Sequence, residues 1–326
     1  MSRMWRKVSG LLIAAALLLP SVSAVLAQQN DQPSSGLRIS PTRTELSLDK
    51  GKSTNIKIFL KNVSGGDITA QAEINDFESE GETGEPRILI DNPEPTSTSI
   101  KKFISGLGDV KLKKDQTKEI NIKAAIPKDF PSGAYYGVIR YSAIPGGGQS
   151  EPGKLSLTAS VATLVLIEVP GNITEQIQLN DILVYDGEKS GSFFFNPPTQ
   201  AGIRITNTGT GFSKPFGRVT VNRTLGGNEV YGYELNNTTP RNNILPDTTR
   251  VFRDDIKNIN MPGRYTIAAG VSHGTNGEVL SKTVSFWYIP VWLAVILVLL
   301  LVAVIVGIYL LIRKYRKSSR VHRRSR

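Results

Sequence analysis

Few residues in this chain are equipped for chemistry. It contains 2 histidines and no cysteine, which removes thiol nucleophiles, thiolate metal sites and any histidine-cluster metal centre. His322 belongs to a basic C-terminal tail, so His273 is the one imidazole left for the rest of the chain. It sits in Ser272-His-Gly-Thr-Asn-Gly-Glu278, where Asn-Gly supplies the positive φ angles of a hairpin turn. A polar turn residue is therefore the simpler reading than a general base. Asp76, Glu78, Glu80, Glu82 and Glu85 form the densest carboxylate stretch. Clustered oxygens in a glycine-containing loop are what Ca²⁺ takes, but the spacing is not that of an EF-hand, and a solvated acidic loop competes with it. Gly146-Gly-Gly148 lacks the Lys-Ser/Thr ending of a phosphate-binding loop and reads as an inter-strand loop. Phe193, Phe194 and Phe195 precede Asn196-Pro-Pro198. Three successive rings on a strand point to both faces, so at least one is exposed or lies at a domain junction, as a partner patch or as packing. No catalytic residue and no cofactor follow from these patterns, and the chain is expected not to be an enzyme.

The charge distribution explains where the chain resides. It carries 39 Lys+Arg against 28 Asp+Glu, a net +11. Three basic residues (Arg3, Arg6, Lys7) and eight more from Arg313 to Arg326 lie at the two ends; 39 less these eleven leaves 28, equal to the acidic count. The body is neutral, which argues against nucleic acid as a partner. The basic start precedes the apolar run Leu11–Leu19, and Val25 and Ala27 suit a signal-peptidase site before Gln28. Ile289 to Ile312 is uncharged and apolar. As a helix it would be about 36 Å long, enough to cross a bilayer. Trp287, Tyr288 and Trp292 at one end and Tyr309 and Tyr315 at the other suit the headgroup layers, and the basic tail places the C-terminus in the cytoplasm. Without cysteine, the exported part, about 260 residues, must be stabilised by its cores alone.

Between these ends, short stretches alternate apolar and polar residues. Examples are Asn55-Ile-Lys-Ile-Phe-Leu-Lys61, Glu119-Ile-Asn-Ile-Lys123, Gly202-Ile-Arg-Ile-Thr206 and Tyr265-Thr-Ile-Ala-Ala269; Val161–Val169 is more continuous, suited to a buried strand. Two copies of one plan are legible. Ile58-Phe-Leu-Lys-Asn62 is echoed by Ile203-Arg-Ile-Thr-Asn207, Leu112-Lys-Lys-Asp115 by Leu245-Pro-Asp247, and Pro131-Ser-Gly-Ala-Tyr135 by Pro262-Gly-Arg-Tyr265. The expected fold class is all-β, two tandem immunoglobulin-like β-sandwiches with an N-terminal signal peptide and one C-terminal transmembrane helix. The boundaries are a signal peptide over 1–27, a flexible leader over 28–35, sandwiches over 36–171 and 172–286, a membrane helix over 287–312 and a basic cytoplasmic tail over 313–326.

Ile39-Ser-Pro-Thr-Arg43, Asp49-Lys-Gly51 and Ile126-Pro-Lys-Asp-Phe-Pro-Ser-Gly-Ala-Tyr-Tyr-Gly137 resemble the N-terminal domain of the WxL-interacting surface proteins of Gram-positive bacteria. The order Phe195-Asn-Pro-Pro198, Asn207-Thr-Gly209, Pro215-Phe-Gly217, Leu245-Pro-Asp247, Pro262-Gly-Arg-Tyr265 and Phe286-Trp-Tyr-Ile-Pro290 is similar to the membrane-proximal domain of surface proteins with the same anchor. The resemblance implies binding of peptidoglycan through the first domain and of another surface protein through the second. Pro41-Thr-Arg43 followed by strands is also similar to the opening of pilus chaperones. The expected function is a non-catalytic, single-pass adhesion or scaffold protein whose partner is cell-wall polymer or a surface protein. The alternative is a membrane-held chaperone or assembly factor acting by strand-edge pairing.

Overall fold

Alternation gives a strand one face for a core and one for water. The computed structural model describes residues 36–92, 94–145, 160–274 and 278–321; the expected signal peptide and leader, Gly146–Gly148 and Asn276-Gly277 lie outside them. Among the described residues are nineteen strands, ten of them in the first sandwich: β1 (Leu37–Ser40), β2 (Arg43–Ser47), β3 (Ser53–Asn62), β4 (Ile68–Glu80), β5 (Glu85–Leu89), β6 (Ile104–Ser105), β7 (Val110–Leu112), β8 (Thr117–Ala125), β9 (Gly133–Pro145) and β10 (Ser160–Val169). One sheet runs β1-β3-β8-β6 and the other β2-β10-β9-β4-β5, with β7 beside the start of β4. The chain changes sheets between β1, antiparallel to β3, and β2, parallel to β10. In β3, Ile56, Ile58 and Leu60 are buried while Asn55, Lys57 and Phe59 face solvent. They pack with Ile122 of the neighbouring β8 against Ile139 and Tyr141 of β9 in the opposing sheet.

The second sandwich holds β11 (Ile177–Asp186), β12 (Lys189–Ser190), β13 (Phe193–Phe194), β14 (Gln200–Asn207), β15 (Phe216–Arg223), β16 (Glu229–Leu235), β17 (Thr249–Asp255), β18 (Gly263–Ser272) and β19 (Leu280–Tyr288). Its sheets run β12-β11-β14-β17 and β13-β19-β18-β15-β16. Tyr265 and Phe286 stack in its core with ring centroids 5.4 Å apart, among Ile203, Ile205, Val219 and Ile267. A helix, Val291–Val321, follows β19; its stretch Val291–Arg313 is long and apolar enough to cross a membrane, and none of it is buried. Trp287 and Tyr288 belong to β19 and not to the helix, because Gly263 and Arg264 of β18 hold them in the sheet.

The sequence echo corresponds to three repeated devices. Buried Asn62 donates from Nδ2 to the carbonyls of Gly66 (2.8 Å), Leu112 (3.3 Å) and Lys113 (3.0 Å) and accepts from Ser64 N–H (2.9 Å). Asn207 donates to Gly211 O (2.8 Å) and Ile244 O (3.0 Å) and accepts from Gly209 N–H (2.9 Å). Each amide ties a strand end to the loop that returns over it. Asp115 (φ 59°) and Asp247 (φ 55°) both take the left-handed conformation that Asp tolerates. The Tyr135 hydroxyl donates to Pro131 O (3.1 Å) and that of Tyr265 to Met261 O (2.6 Å), each four residues upstream at the entry to a late strand. This is the tyrosine corner of immunoglobulin-like folds.

The two sandwiches lie within one compact unit. Val165, Ile167 and Val169 of β10 face the first core. Leu166, with Ala162 and Leu164, faces the other way, into a separate cluster of Phe77, Tyr136, Val138, Leu245 and Phe212. Leu245 and Phe212 belong to the second sandwich, so this cluster is the joint. The stretch expected as an acidic loop is instead the β4–β5 hairpin, Asp76 to Glu80 pairing with Glu85 to Leu89. Its tip reaches the second sandwich: the Glu82 carbonyl accepts from Val251 N–H on the edge strand β17 (2.8 Å), and its carboxylate accepts from Arg204 Nε (2.9 Å). Gly84 at φ +74° lies so close that a Cβ would stand 2.5 Å from Arg250 Nε.

Asn62→Ala and Asn207→Ala each leave two or three inward-facing carbonyls without a donor and are expected to lower stability by about 2–3 kcal/mol. Asn121→Ala, on an exposed face, is expected to change it by less than about 0.5 kcal/mol. Denaturant unfolding of the full chain checks both; equal effects at the three positions would contradict a clamping role.

Candidate functional site

β10 brings an open sheet edge and an inter-sandwich cleft together. β2 pairs with only its second half, Leu164↔Arg43 to Glu168↔Ser47. Thr42 O accepts from Leu164 N–H (2.9 Å) and Glu168 O from Leu48 N–H (3.0 Å), so the even-numbered residues of β10 point their backbone groups outward. By the alternation of an antiparallel ladder, Ser160 and Ala162 do the same. Among the described residues no strand pairs with them on that side, while β9 pairs with them on the other. Ser160, Val161, Ala162 and Thr163 include no charge and no proline. Two of the other edges are guarded: β5 carries Glu85, Pro86 and Arg87, and β17 carries Arg250, Arg253, Asp254 and Asp255. Charges and prolines on an edge are the usual means of refusing a foreign strand.

The cleft opens beside the paired half of β10, with a cavity of about 390 Å³ whose walls include Glu45, Glu168, Glu175, Phe212, Lys214 and His273. Glu45 of β2 is bound by Lys214 and Arg43 and receives Asn243 Nδ2 at 3.4 Å. The Glu168 carboxyl lies above the ordinary glutamate range, pushed up first by burial and then by the charge of Glu175. Lys214 and a hydrogen bond from the Phe212 backbone pull it partly back. Three carboxylates facing one lysine and one imidazole make this a polar, mildly acidic recess.

The residues singled out in the sequence scatter. Asp76 is buried and accepts from Ser99 Oγ (2.6 Å) and Thr96 N–H (2.9 Å), pinning the chain that returns to β6. Glu78 pairs with Arg87, Glu80 and Glu85 oppose one another on the hairpin, and Glu82 holds Arg204. Among the described residues no three potential ligands converge on a point that would hold a metal ion; Asp76 is taken up by Ser99 and Thr96, Glu78 by Arg87 and Glu82 by Arg204. Phe194 is core, edge-on to Phe286 at 5.9 Å. Phe193 and Phe195 are 68% and 61% exposed and lie far from the inter-sandwich joint, at the end where the helix leaves. The β10 edge was not singled out in the sequence; the one signal was the doubly apolar run Val161–Val169. His273, expected as a turn residue, follows β18 and also forms part of the cleft wall.

No family model matches the sequence, and no curated protein does. Solved structures are similar in outline. The class 5 fimbriae chaperone CfaA is 14% identical at a TM-score of 0.39, over 78% of this chain and 100% of that one. The E. coli chaperone DraB is 14% identical at 0.34, over 76% and 97%. PapD-like domain 7 of human CEP192 is 13% identical at 0.30, over 47% and 97%. Likeness at this level assigns no activity and no ligand.

A glutamate whose folded value is raised favours the native state when protonated, so its contribution is fully present below the unfolded value and is lost as pH rises through the folded one. At neutral pH the charged Glu168 therefore opposes folding. Glu168→Gln is expected to melt higher than the parent at pH 7, with the difference vanishing near pH 4. A variant less stable at pH 7 would mean that Lys214 outweighs burial.

Proposed function

We propose that this chain is a non-catalytic, membrane-held protein that binds a protein partner outside the cytoplasm by accepting a strand on the open half-edge of β10. The length mismatch between β2 and β10 carries the reading: among the described residues no strand pairs with the outer side of Ser160 and Ala162, in an uncharged, proline-free segment. Main-chain pairing of this kind gives affinity, and alternate side-chain contacts give selectivity. The apolar C-terminal helix with its basic tail supports membrane attachment with the sandwiches outside. The resemblance to WxL-interacting surface proteins agrees with a surface-protein partner and adds cell-wall polymer as a second ligand.

Ala162→Pro is the decisive variant. It removes an outward donor and leaves the ladder to β9 intact, a position where proline is tolerated on an edge. Purified full chain and variant are compared for capture of surface proteins from envelope extracts and for co-sedimentation with peptidoglycan sacculi. The expected result is an unchanged melting temperature and roughly tenfold weaker capture of a protein that the parent retains. Equal capture by both would overturn strand addition. Salt-resistant retention on sacculi by both, with no protein captured, would assign the chain to cell-wall polymer.

A further inference from the structure

The passage from sandwich to helix is short and clamped. Two residues, Ile289 and Pro290, separate β19 from the helix. β13 runs parallel to β19, placing Phe193 opposite Trp287 and Phe194 opposite Tyr288. The Ser192 carbonyl accepts from Trp287 N–H (2.7 Å) and the Phe194 carbonyl from Ile289 N–H (2.9 Å). Pro290 O then accepts from Leu293 N–H (2.9 Å) and Ala294 N–H (3.1 Å), which opens the helix. The second sandwich thus ends where the helix begins, without a flexible tether.

That end is where the exposed apolar side chains gather. Because Phe194 is turned into the core, its neighbours Phe193 (68%) and Phe195 (61%) are turned out. Trp287 is 40% and Trp292 60% exposed. Leu225 (78%) lies just past β15, and Met261 (57%) just before β18. Register brings both to the same end, since Arg223 pairs with Tyr265 and Gly263 with Tyr288. From β13 to β15 is three strand spacings, about 14 Å. Val279, also 68% exposed, belongs to the opposite end of the β18–β19 hairpin. Five large apolar groups on one sandwich end, with Trp292 on the first turn of a helix whose first 23 residues could span a membrane, match the composition that favours the boundary between headgroups and acyl chains.

We propose that the helix-exit end of the second sandwich is a lipid-contacting surface, with Phe193, Phe195, Trp287 and Trp292 seated in the bilayer interface flanked by Leu225 and Met261. The sandwich then lies against the membrane and does not stand off from it. The inference rests on the reading of Val291–Arg313 as a span. Its partner is the interfacial layer of the bilayer itself, reached by continuity from the helix.

The absence of cysteine permits a direct test with single labels on the full chain. Asn196→Cys keeps both exposed rings, Val279→Cys reports the far end, and Leu301→Cys reports the helix. Each is labelled with an environment-sensitive fluorophore and reconstituted into phosphatidylcholine vesicles with lipid spin-labelled near the headgroup, or near the acyl-chain end for Leu301→Cys at mid-span, and iodide is the aqueous quencher. Lipid quenching at Asn196→Cys is expected to exceed that at Val279→Cys about threefold, and to fall about twofold when Phe193→Ser and Phe195→Ser are added. Quenching at Asn196→Cys equal to that at Val279→Cys, with Leu301→Cys quenched by lipid, would overturn the seating alone. An unquenched Leu301→Cys would overturn the span and the seating with it.

Discussion

The structure turns on a strand that is buried on both faces. β10 contributes Val165, Ile167 and Val169 to one hydrophobic cluster and Leu166 to another, so it is at once a core strand of the first sandwich and the floor of the joint with the second. Domains joined by small polar contacts move against one another by default, whereas an apolar joint resists it. The ion pairs flanking this one, Glu82 with Arg204 and Glu45 with Lys214, have side chains between 24% and 42% exposed. Pairs so placed contribute little each. Phe77, Tyr136, Val138, Leu166 and Leu245, all buried, set the angle, and the polar contacts fix the register. The cleft and the open half-edge keep their relation because both are built on the same strand.

The two sandwiches solve the same problem with the same parts. A strand that ends under a returning loop leaves carbonyls facing inward, and an asparagine amide can donate to two of them while its oxygen accepts a turn N–H. Asn62 and Asn207 do this in turn. The tyrosine corners at Tyr135 and Tyr265 close the opposite crossing, where a ring enters the core and its hydroxyl must find a backbone acceptor. Glycine next to these corners takes a positive φ, 149° at Gly133 and 145° at Gly263. Repetition of all three devices in one order is a stronger sign of a shared plan than the low similarity of the strands between them.

Strands with one wet face were legible in the sequence because their period of two survives; β3, β8 and β18 are cases. β4 was not, although it has thirteen residues. Asp76 and Phe77 are both buried on it, the first by hydrogen bonds to Ser99 and Thr96 and the second by the joint, so polarity no longer tracks burial. The carboxylates from Glu78 to Glu85 then looked like a loop because they are the tip of an arm whose receptor, Arg204 and Val251, lies more than a hundred residues away. β17 failed for a related reason: Arg250 and Arg253 lie over the rings of Phe252 and Tyr185 at 5.2 and 4.3 Å, and such pairing masks a strand as a charged stretch. Phe193 to Phe195 were recognised as unusual, but their location needed the parallel pairing with β19, which no local pattern encodes. The half of β10 that no described strand pairs on its outer side has no signal in the sequence, because an absence of pairing leaves no mark in the residues that lack it.

These features bear jointly on how the proposed strand addition would proceed. A binding edge on a long flexible stalk samples a large volume, and its effective concentration near any one client falls with tether length. Here two residues separate helix from strand, and an apolar cluster joins one sandwich to the next. With the helix in a bilayer, the height and heading of Ser160–Thr163 above the surface are fixed by packing and not by a linker. Little orientational freedom then remains to be lost when a strand docks, which lowers the entropic opposition to pairing for a client presented at the right depth. A client in the wrong orientation gains nothing from that order. Selectivity would then come from geometry relative to the membrane as much as from the four side chains at the edge, which suits a segment as chemically plain as Ser-Val-Ala-Thr.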